Sequence, residues 1–422
     1  MVMFSVLMGS FLGVECFLVM MVMVYVYILV ISCPGVGYML FGEWGYDVIS
    51  LFMVGLSVYI ISVSVLASFK VDNFKWIIVC FGVMVSSLMV LFVSSSFLVF
   101  YVVYELVVLV LIIMLINWGA NPERFKSLVY LIIYMMVFSM PMFFVLMIMV
   151  SSIGVSSFSV VICVSVFMEV LVVMAMLVKI PMYLFHFWLP KVHVEASTGL
   201  SMVLAGVLLK MGAYGLYRFV MMWNLNLCLL SIVTSLSLVG MVAMSLVCVY
   251  VSDLKELVAY SSVVHMSLMV VVLVNMGMAF FVGVLAMMVF HGFVSALMFF
   301  LVGKVYELSG SRSIMVNKGL VSMYGFLGVL FFLVLIMNMG FPFSGNFVAE
   351  IQLIGYVVGL GVLGVVLSVL YVFFSCVYSV LMYTYIMTGG ELGENWSIGF
   401  GVSGWLGVLM SMEFMVYVLV YL

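Results

Sequence analysis

Five ionisable side chains, Lys179, His186, Lys191, His193 and Glu195, crowd into LVKIPMYLFHFWLPKVHVEASTG (residues 177–199), in a chain that is otherwise almost wholly apolar. Glu105, Lys210, His265, His291 and Glu350 stand inside other apolar runs. A charge at the centre of a bilayer costs about 2.5 to 3.5 kcal/mol on insertion scales, and more where it faces lipid. Groups of this kind must therefore face one another or water. Desolvation favours the neutral form of a lysine and a nearby carboxylate favours the charged form, so moving the partner switches the lysine. Histidine titrates near neutrality and passes a proton through either ring nitrogen. The set suits proton transfer along a line of stations at membrane depth.

The backbone around two of these groups points the same way. Lys179 is followed by Pro181 and then Pro190, so carbonyls near the lysine lose their helical partners. Freed carbonyls at membrane depth are tolerated only where protein or a water-filled cavity satisfies them. Glu350 repeats the theme, following NMGFPFSGN, in which Gly340, Pro342 and Gly345 interrupt a second helix. Discontinuous helices carrying a charge near the midplane mark ion-coupled transporters, and two of them suggest two related half-units. Plainer roles exist for other residues. Glu15 and Glu413 suit helix ends or chain termini, Glu169 suits a helix end, His265 and His291 could be buried and hydrogen-bonded through one nitrogen, and the Met and aromatic residues between them are packing.

What must position these groups is a set of membrane helices. Hydrophobic residues make up 69% of the 422, charged residues 6%, and mean hydropathy is +1.52, which no water-soluble fold tolerates on its surface. Apolar runs of roughly 20 residues recur, each able to cross about 30 Å of hydrocarbon as a helix, whereas a barrel would show strands of roughly 10 alternating residues. Polar and Gly/Pro/Asn-rich breaks divide the chain into about 13 segments. They are residues 4–32, 48–69, 75–93, 95–116, 125–150, 157–190, 197–222, 226–249, 254–274, 277–303, 320–357, 359–388 and 402–422. The first could hold two short helices turning near Glu15, and the sixth and eleventh are too long for one straight span. With this division Lys70, Lys75, Arg124, Lys126, Lys191, Lys255, Lys304, Arg312 and Lys318 fall on one side and only Arg218 on the other, the asymmetry that fixes orientation during insertion. The net charge of -3 lies in no basic or acidic block, which argues against nucleic acid as a partner. The scattered cysteines, with no C-x-x-C pair, read as packing residues, and no removable targeting segment is visible.

In chain order, FYVVYELVVLVLIIMLINWGANPERF (residues 100–125), the lysine and H-x-W-L-P-K-x-H-V-E-A run of residues 177–199, SMVLAGVLLKMGAYGLYR (201–218), DLKELVAYSSVVHMS (253–267), FHGFVSALMFF (290–300) and SGNFVAEIQL (344–353) form a series. The series resembles the antiporter-like membrane subunits of respiratory complex I, the mitochondrial members most closely, across roughly residues 95–355. The resemblance implies an all-α polytopic membrane protein, one integral membrane domain over residues 1–422. It would contain two inverted five-helix repeats, residues 75–222 and 226–388, two discontinuous helices, and proton half-channels meeting along a polar axis. By motif, Glu105 is the acid that pairs with Lys179, Lys210 passes the charge inward, His265 and His291 connect, and Glu350 is the terminal site. His186, Lys191, His193 and Glu195 would line the first break or its loop, with Pro181 and Pro342 making the breaks.

The same resemblance implies proton translocation coupled to NADH oxidation and ubiquinone reduction on other subunits. No cofactor or metal is expected on this chain, and NAD, FMN, iron–sulfur clusters and ubiquinone are expected elsewhere in the assembly. Neighbouring antiporter-like subunits, phospholipid, protons and water are the implied partners, and the mitochondrial inner membrane, basic side to the matrix, is the implied location. Two features depart from the family pattern. Ser197 stands where V-E-A is usually followed by proline, and the short leader suggests that one of the usual helices is missing or fused. Three other readings compete: a free-standing cation/proton antiporter of the same fold, a scaffold that conducts nothing, and a haem protein. Against haem, His186 and His193 have Pro190 between them, and no G-x-G-x-x-G loop suggests nicotinamide or flavin binding.

Overall fold

The computed structural model describes residues 39–41, 44–68, 73–119, 122–154, 156–158, 164–223, 225–275, 280–319, 325–342 and 344–388. The segments expected at 4–32 and 402–422, with Glu15 and Glu413, lie outside them. Contacts divide the chain into two compact units, one of residues up to Lys179 together with Glu195–Asn226, the other of Ile180–Val194 and the residues from Leu227 onward.

The first unit opens on a short hairpin, β1 (Met39–Phe41) antiparallel to β2 (Trp44–Tyr46), which the hydropathy pattern does not reveal. Its helices are α1 (Val48–Ala67), α2 (Phe74–Val93), α3 (Phe97–Trp118), α4 (Arg124–Ile153), α5 (Val166–Lys179) and α7 (Thr198–Met222), the last with a π-helical turn at Leu204–Leu208. The second unit holds α6 (Trp188–Glu195) up to Val194, then α8 (Leu227–Tyr250), α9 (Leu254–Val274), α10 (Phe281–Ser309), α11 (Gly325–Asn338), α12 (Gly345–Gly359) and α13 (Val362–Met387). Among the described residues nine helices, α1 to α4, α7 to α10 and α13, are long and apolar enough to cross a membrane.

The solvent these helices are built for is visible in their outer faces. On α4 the side chains of Val129, Ile133, Val137, Met140, Phe144 and Met147 are exposed, an unbroken apolar stripe at helical spacing. Such a stripe is a liability in water and is matched by lipid. Helix α13 is arranged the same way with its inner face made polar: Ser368, Tyr371, Ser375, Tyr378 and Ser379 are buried while Val362, Leu363, Val366, Val369 and Phe373 face outward. Several serine hydroxyls inside the helices are satisfied by the helix itself. Ser57, Ser64, Ser261 and Ser262 each donate to the carbonyl three residues back, at 2.6 to 2.8 Å.

Each unit also shows which helix ends share a face. In the first, Phe97 and Phe158 donate backbone N–H bonds to Ser156 and Ser95, tying the α2–α3 turn to the segment after α4. In the second, Leu254 and Ile314 exchange backbone bonds with Arg312 and Ser252, tying the end of α8 to the end of α10. Both agree with the alternation of basic residues read from the sequence.

Candidate functional site

Among the described residues two helices are interrupted, and the interruptions are built differently. Helix α5 stops at Lys179. Pro181 has no N–H to continue the ladder and its ring disfavours helical geometry at Ile180. The chain then turns through residues 180–187, with Leu184 in the left-handed region (φ +81°), and restarts as α6. Pro190 does not contribute to the break, contrary to the reading from sequence. It sits in the first turn of α6, where backbone N–H groups have no intrahelical partner and none is lost.

The second interruption uses glycine. Gly340 (φ +67°) follows the end of α11, its N–H donates to Met337, and the N–H of Phe341 reaches Ile336 at 3.2 Å, the paired bonds of a Schellman stop. Pro342 then prevents continuation. Ser344 starts α12 by accepting from the N–H of Phe347 at 3.2 Å, and the Asn346 amide donates back to the Met337 carbonyl at 3.0 Å. The Met337 and Ile336 carbonyls and the Phe347 N–H at this break thus find local partners.

In the first unit the break places a cation against an aromatic ring. Lys179, buried, rests its ammonium over the Tyr104 ring and lies 3.5 Å from the Tyr104 carbonyl. Its position as the last residue of α5 sets it at the negative end of that helix. Glu105 is the next residue after Tyr104 on α3. Lys179 and Glu105 do not form an ion pair within 4.0 Å, and Glu105 Oε1 is buried without a hydrogen-bond partner. Lys210 is fully buried on α7 and folds back to donate to the Ala205 carbonyl at 2.7 Å, inside the π-turn. Such turns disturb the regular ladder and recur at functional positions. Glu169, in the first turn of α5, accepts from the backbone N–H of Asn226 at 3.1 Å, a helix-end role.

In the second unit three groups meet. The carboxylate of Glu350 on α12 lies 3.2 Å from His265 Nδ1 on α9, and the hydroxyl of Tyr371 on α13 stands 3.0 Å from the same nitrogen and 3.2 Å from the same carboxylate oxygen. His291 on α10 lies beside them, its ring centroid 5.0 Å from that of His265. Gly340 closes the other side. A Cβ there would collide with the Glu350 carboxylate, so glycine is required both for its backbone and for its lack of a side chain.

The residues after the first break take separate places. His186 lies in the turn and stacks on Phe187 at 4.4 Å, while Lys191, His193 and Glu195 are on α6 and not in a loop. Lys191 is exposed and His193 is buried, stacked on Phe299 at 4.4 Å. Ser197 caps α7 with φ −61°, the angle a proline ring would impose, so the turn keeps the form proline gives it. Sequence reasoning missed Tyr104 and Tyr371. It also missed the half-buried ion pair of Arg218 with Asp47, in which Arg218 also donates to the Tyr214 hydroxyl at 2.9 Å. For Tyr371 a signal existed: Ser368, Tyr371, Ser375 and Tyr378 recur at helical spacing in a helix that is otherwise mostly apolar.

Long lipid-facing helices, two of them interrupted, with buried ionisable groups at the interruptions, define a polytopic membrane protein of the antiporter-like type. The chain belongs to the NADH:quinone oxidoreductase/Mrp antiporter transmembrane family, whose sequence profile it matches over residues 94–376. It is 37% identical over 361 residues to NADH-ubiquinone oxidoreductase chain 4 of Rhipicephalus sanguineus, covering 84% of this chain and 81% of that one. It is 38% identical over 302 residues to the chain of the same name from Locusta migratoria, covering 71% and 68%. In fold it is similar to a chain in the structure of respiratory complex I from Thermus thermophilus with bound NADH, at a TM-score of 0.84 and 19% identity, over 98% of this chain and 94% of that one.

Proposed function

We propose that this chain is a membrane-arm subunit of a respiratory NADH:ubiquinone oxidoreductase and that it moves protons across the membrane. The observation that carries the reading is the likeness to proteins named NADH-ubiquinone oxidoreductase chain 4 over most of both chains. The geometry supplies the chemistry. In the first unit Lys179 is held by a ring face and a carbonyl and is not locked to a carboxylate, which leaves its charge open to control by a moving partner. A shift of Glu105 toward Lys179 stabilises the ammonium, and a shift away promotes proton release. Lys210 is the second ammonium station of that unit. In the second unit His265, His291 and Glu350 are the stations, with His265 Nδ1 and the Glu350 carboxylate 3.2 Å apart.

Residues 75–222 and 226–388 form the two inverted repeats in this proposal. The chain itself carries no redox site, and NAD, FMN, iron–sulfur clusters and ubiquinone belong to other subunits. Neighbouring antiporter-like subunits and phospholipid cover its apolar faces, in the mitochondrial inner membrane with the basic face toward the matrix. The test is Lys179→Met in the assembled complex, reconstituted into sealed vesicles. The variant is expected to assemble but to transport fewer protons per NADH oxidised. Unchanged coupling overturns the proposal.

A further inference from the structure

Resting on that reading, we infer that Tyr371 is the relay hydroxyl through which His265 and Glu350 exchange a proton. His265 Nδ1, Tyr371 Oη and Glu350 Oε1 form a triangle with sides of 3.0, 3.2 and 3.2 Å. A ring N–H points along one direction in the imidazole plane, and hydrogen bonds weaken steeply away from linearity, so one proton cannot serve both other corners. The hydroxyl is the only corner that both donates and accepts whatever the state of its neighbours.

Two arrangements satisfy all three groups. In one, His265 is an imidazolium that donates its Nδ1–H to Tyr371, which donates to an ionised Glu350. In the other, Tyr371 donates to the bare Nδ1 of a neutral His265 that keeps its proton on Nε2, and a protonated Glu350 donates to Tyr371. They differ by a concerted shift: the Nδ1–H bond breaks as a new O–H bond forms at Oη, and the original Oη–H bond breaks as one forms at Oε1. Tyr371 begins and ends as a neutral phenol, and no oxidant or co-reactant is needed. The net result is one proton moved from His265 to Glu350.

The site is built to hold this geometry. Tyr371 is fully buried on the polar face of α13, its ring stands edge-on to that of His265 at 6.1 Å, and Gly340 presses on the far side of the Glu350 carboxylate. A hydroxyl placed only to anchor α13 needs one partner. This one meets two titratable groups that are themselves in contact.

Tyr371→Phe keeps the ring and removes the hydroxyl, and is compared with Glu350→Gln in the same vesicle-reconstituted complex. The expected result is normal assembly, proton transport roughly tenfold slower, and a changed H₂O/D₂O rate ratio. A variant that transports protons at the native rate with an unchanged isotope ratio overturns the relay. The Glu350→Gln arm separates the two levels: if it stops transport while Tyr371→Phe does not, only the relay falls, and if neither affects transport, the proposed function falls as well. Infrared difference spectra of the native complex during turnover give a second reading should Tyr371→Phe fail to assemble. The tyrosine C–O band and a protonated carboxyl band must change together, and a carboxyl change with a silent tyrosine overturns the relay.

Discussion

The two interrupted helices carry opposite charges on opposite sides of their breaks. In the first, the charge is Lys179, the last residue before the break. In the second, the last residue before the break is the neutral, buried Asn338, and the charge is Glu350, in the second turn of the helix that follows. Helix ends explain part of this choice, because a C-terminus favours a cation and an N-terminus an anion, an effect that fades beyond the first turn. The neighbours explain the rest. Lys179 has a ring and a carbonyl, neither of which can take its proton. Glu350 has an imidazole and a phenol, which can exchange one. In the proposed function, two differently built breaks thus hold a movable charge in one case and a proton-exchanging node in the other.

The sharpest way to break that contrast is Lys179→Met, which removes the movable charge while keeping the length and apolar character of the side chain. Proton transport by the complex should be lost or reduced severalfold, read as vesicle acidification per NADH oxidised, with assembly intact. Gly340→Ala attacks the second break. Forcing alanine into the left-handed region costs about 1 to 2 kcal/mol, and the added methyl also displaces the Glu350 carboxylate. The variant should therefore lose both thermal stability and transport, and a lower melting temperature with native transport would show that the node tolerates displacement.

Asp47→Asn asks whether a charge pair away from either break matters only for stability. Asp47 and Arg218 are both about 12% exposed, between the limits of surface and buried pairs, so the loss should be about 2 kcal/mol with transport unchanged. A transport defect without a stability defect would add this pair to the proton path. Ser197→Pro should do least. The φ of −61° already suits proline, so chain-stiffening should leave stability unchanged or raise it by less than about 1 kcal/mol in a thermal unfolding scan.

Most of the helical frame was legible in the sequence because lipid imposes a length and a composition on every span. Residues 254–274 were expected as a helix and α9 occupies Leu254–Val274. The interruptions were legible as places and not as structures. Proline near a membrane lysine signals a break, yet Pro141 sits inside the continuous helix α4 and Pro190 begins a helix instead of ending one. For Pro190 the missing N–H had no partner to lose, which depends on where the helix starts and is not written in the proline itself, whereas α4 runs on through Pro141 although an interior N–H is lost there. The six charged and histidine residues stood out because ionisable groups are costly in lipid. The two tyrosines did not, because a phenol at membrane depth is ordinary until its partners are known. The meeting of His265, Glu350 and Tyr371, from three separate helices, follows from packing that no spacing along the chain encodes.

The central claim is that buried charges held loosely at a helix break carry protons. Its most direct test is a structure of the assembled complex that resolves ordered water around Glu105, Lys179 and Lys210 in the first unit. The claim predicts water chains joining the Lys179 ammonium to Lys210 and to the Glu105 carboxylate. Dry apolar packing between the two lysines, with Lys179 sealed in a direct ion pair to Glu105, would contradict it.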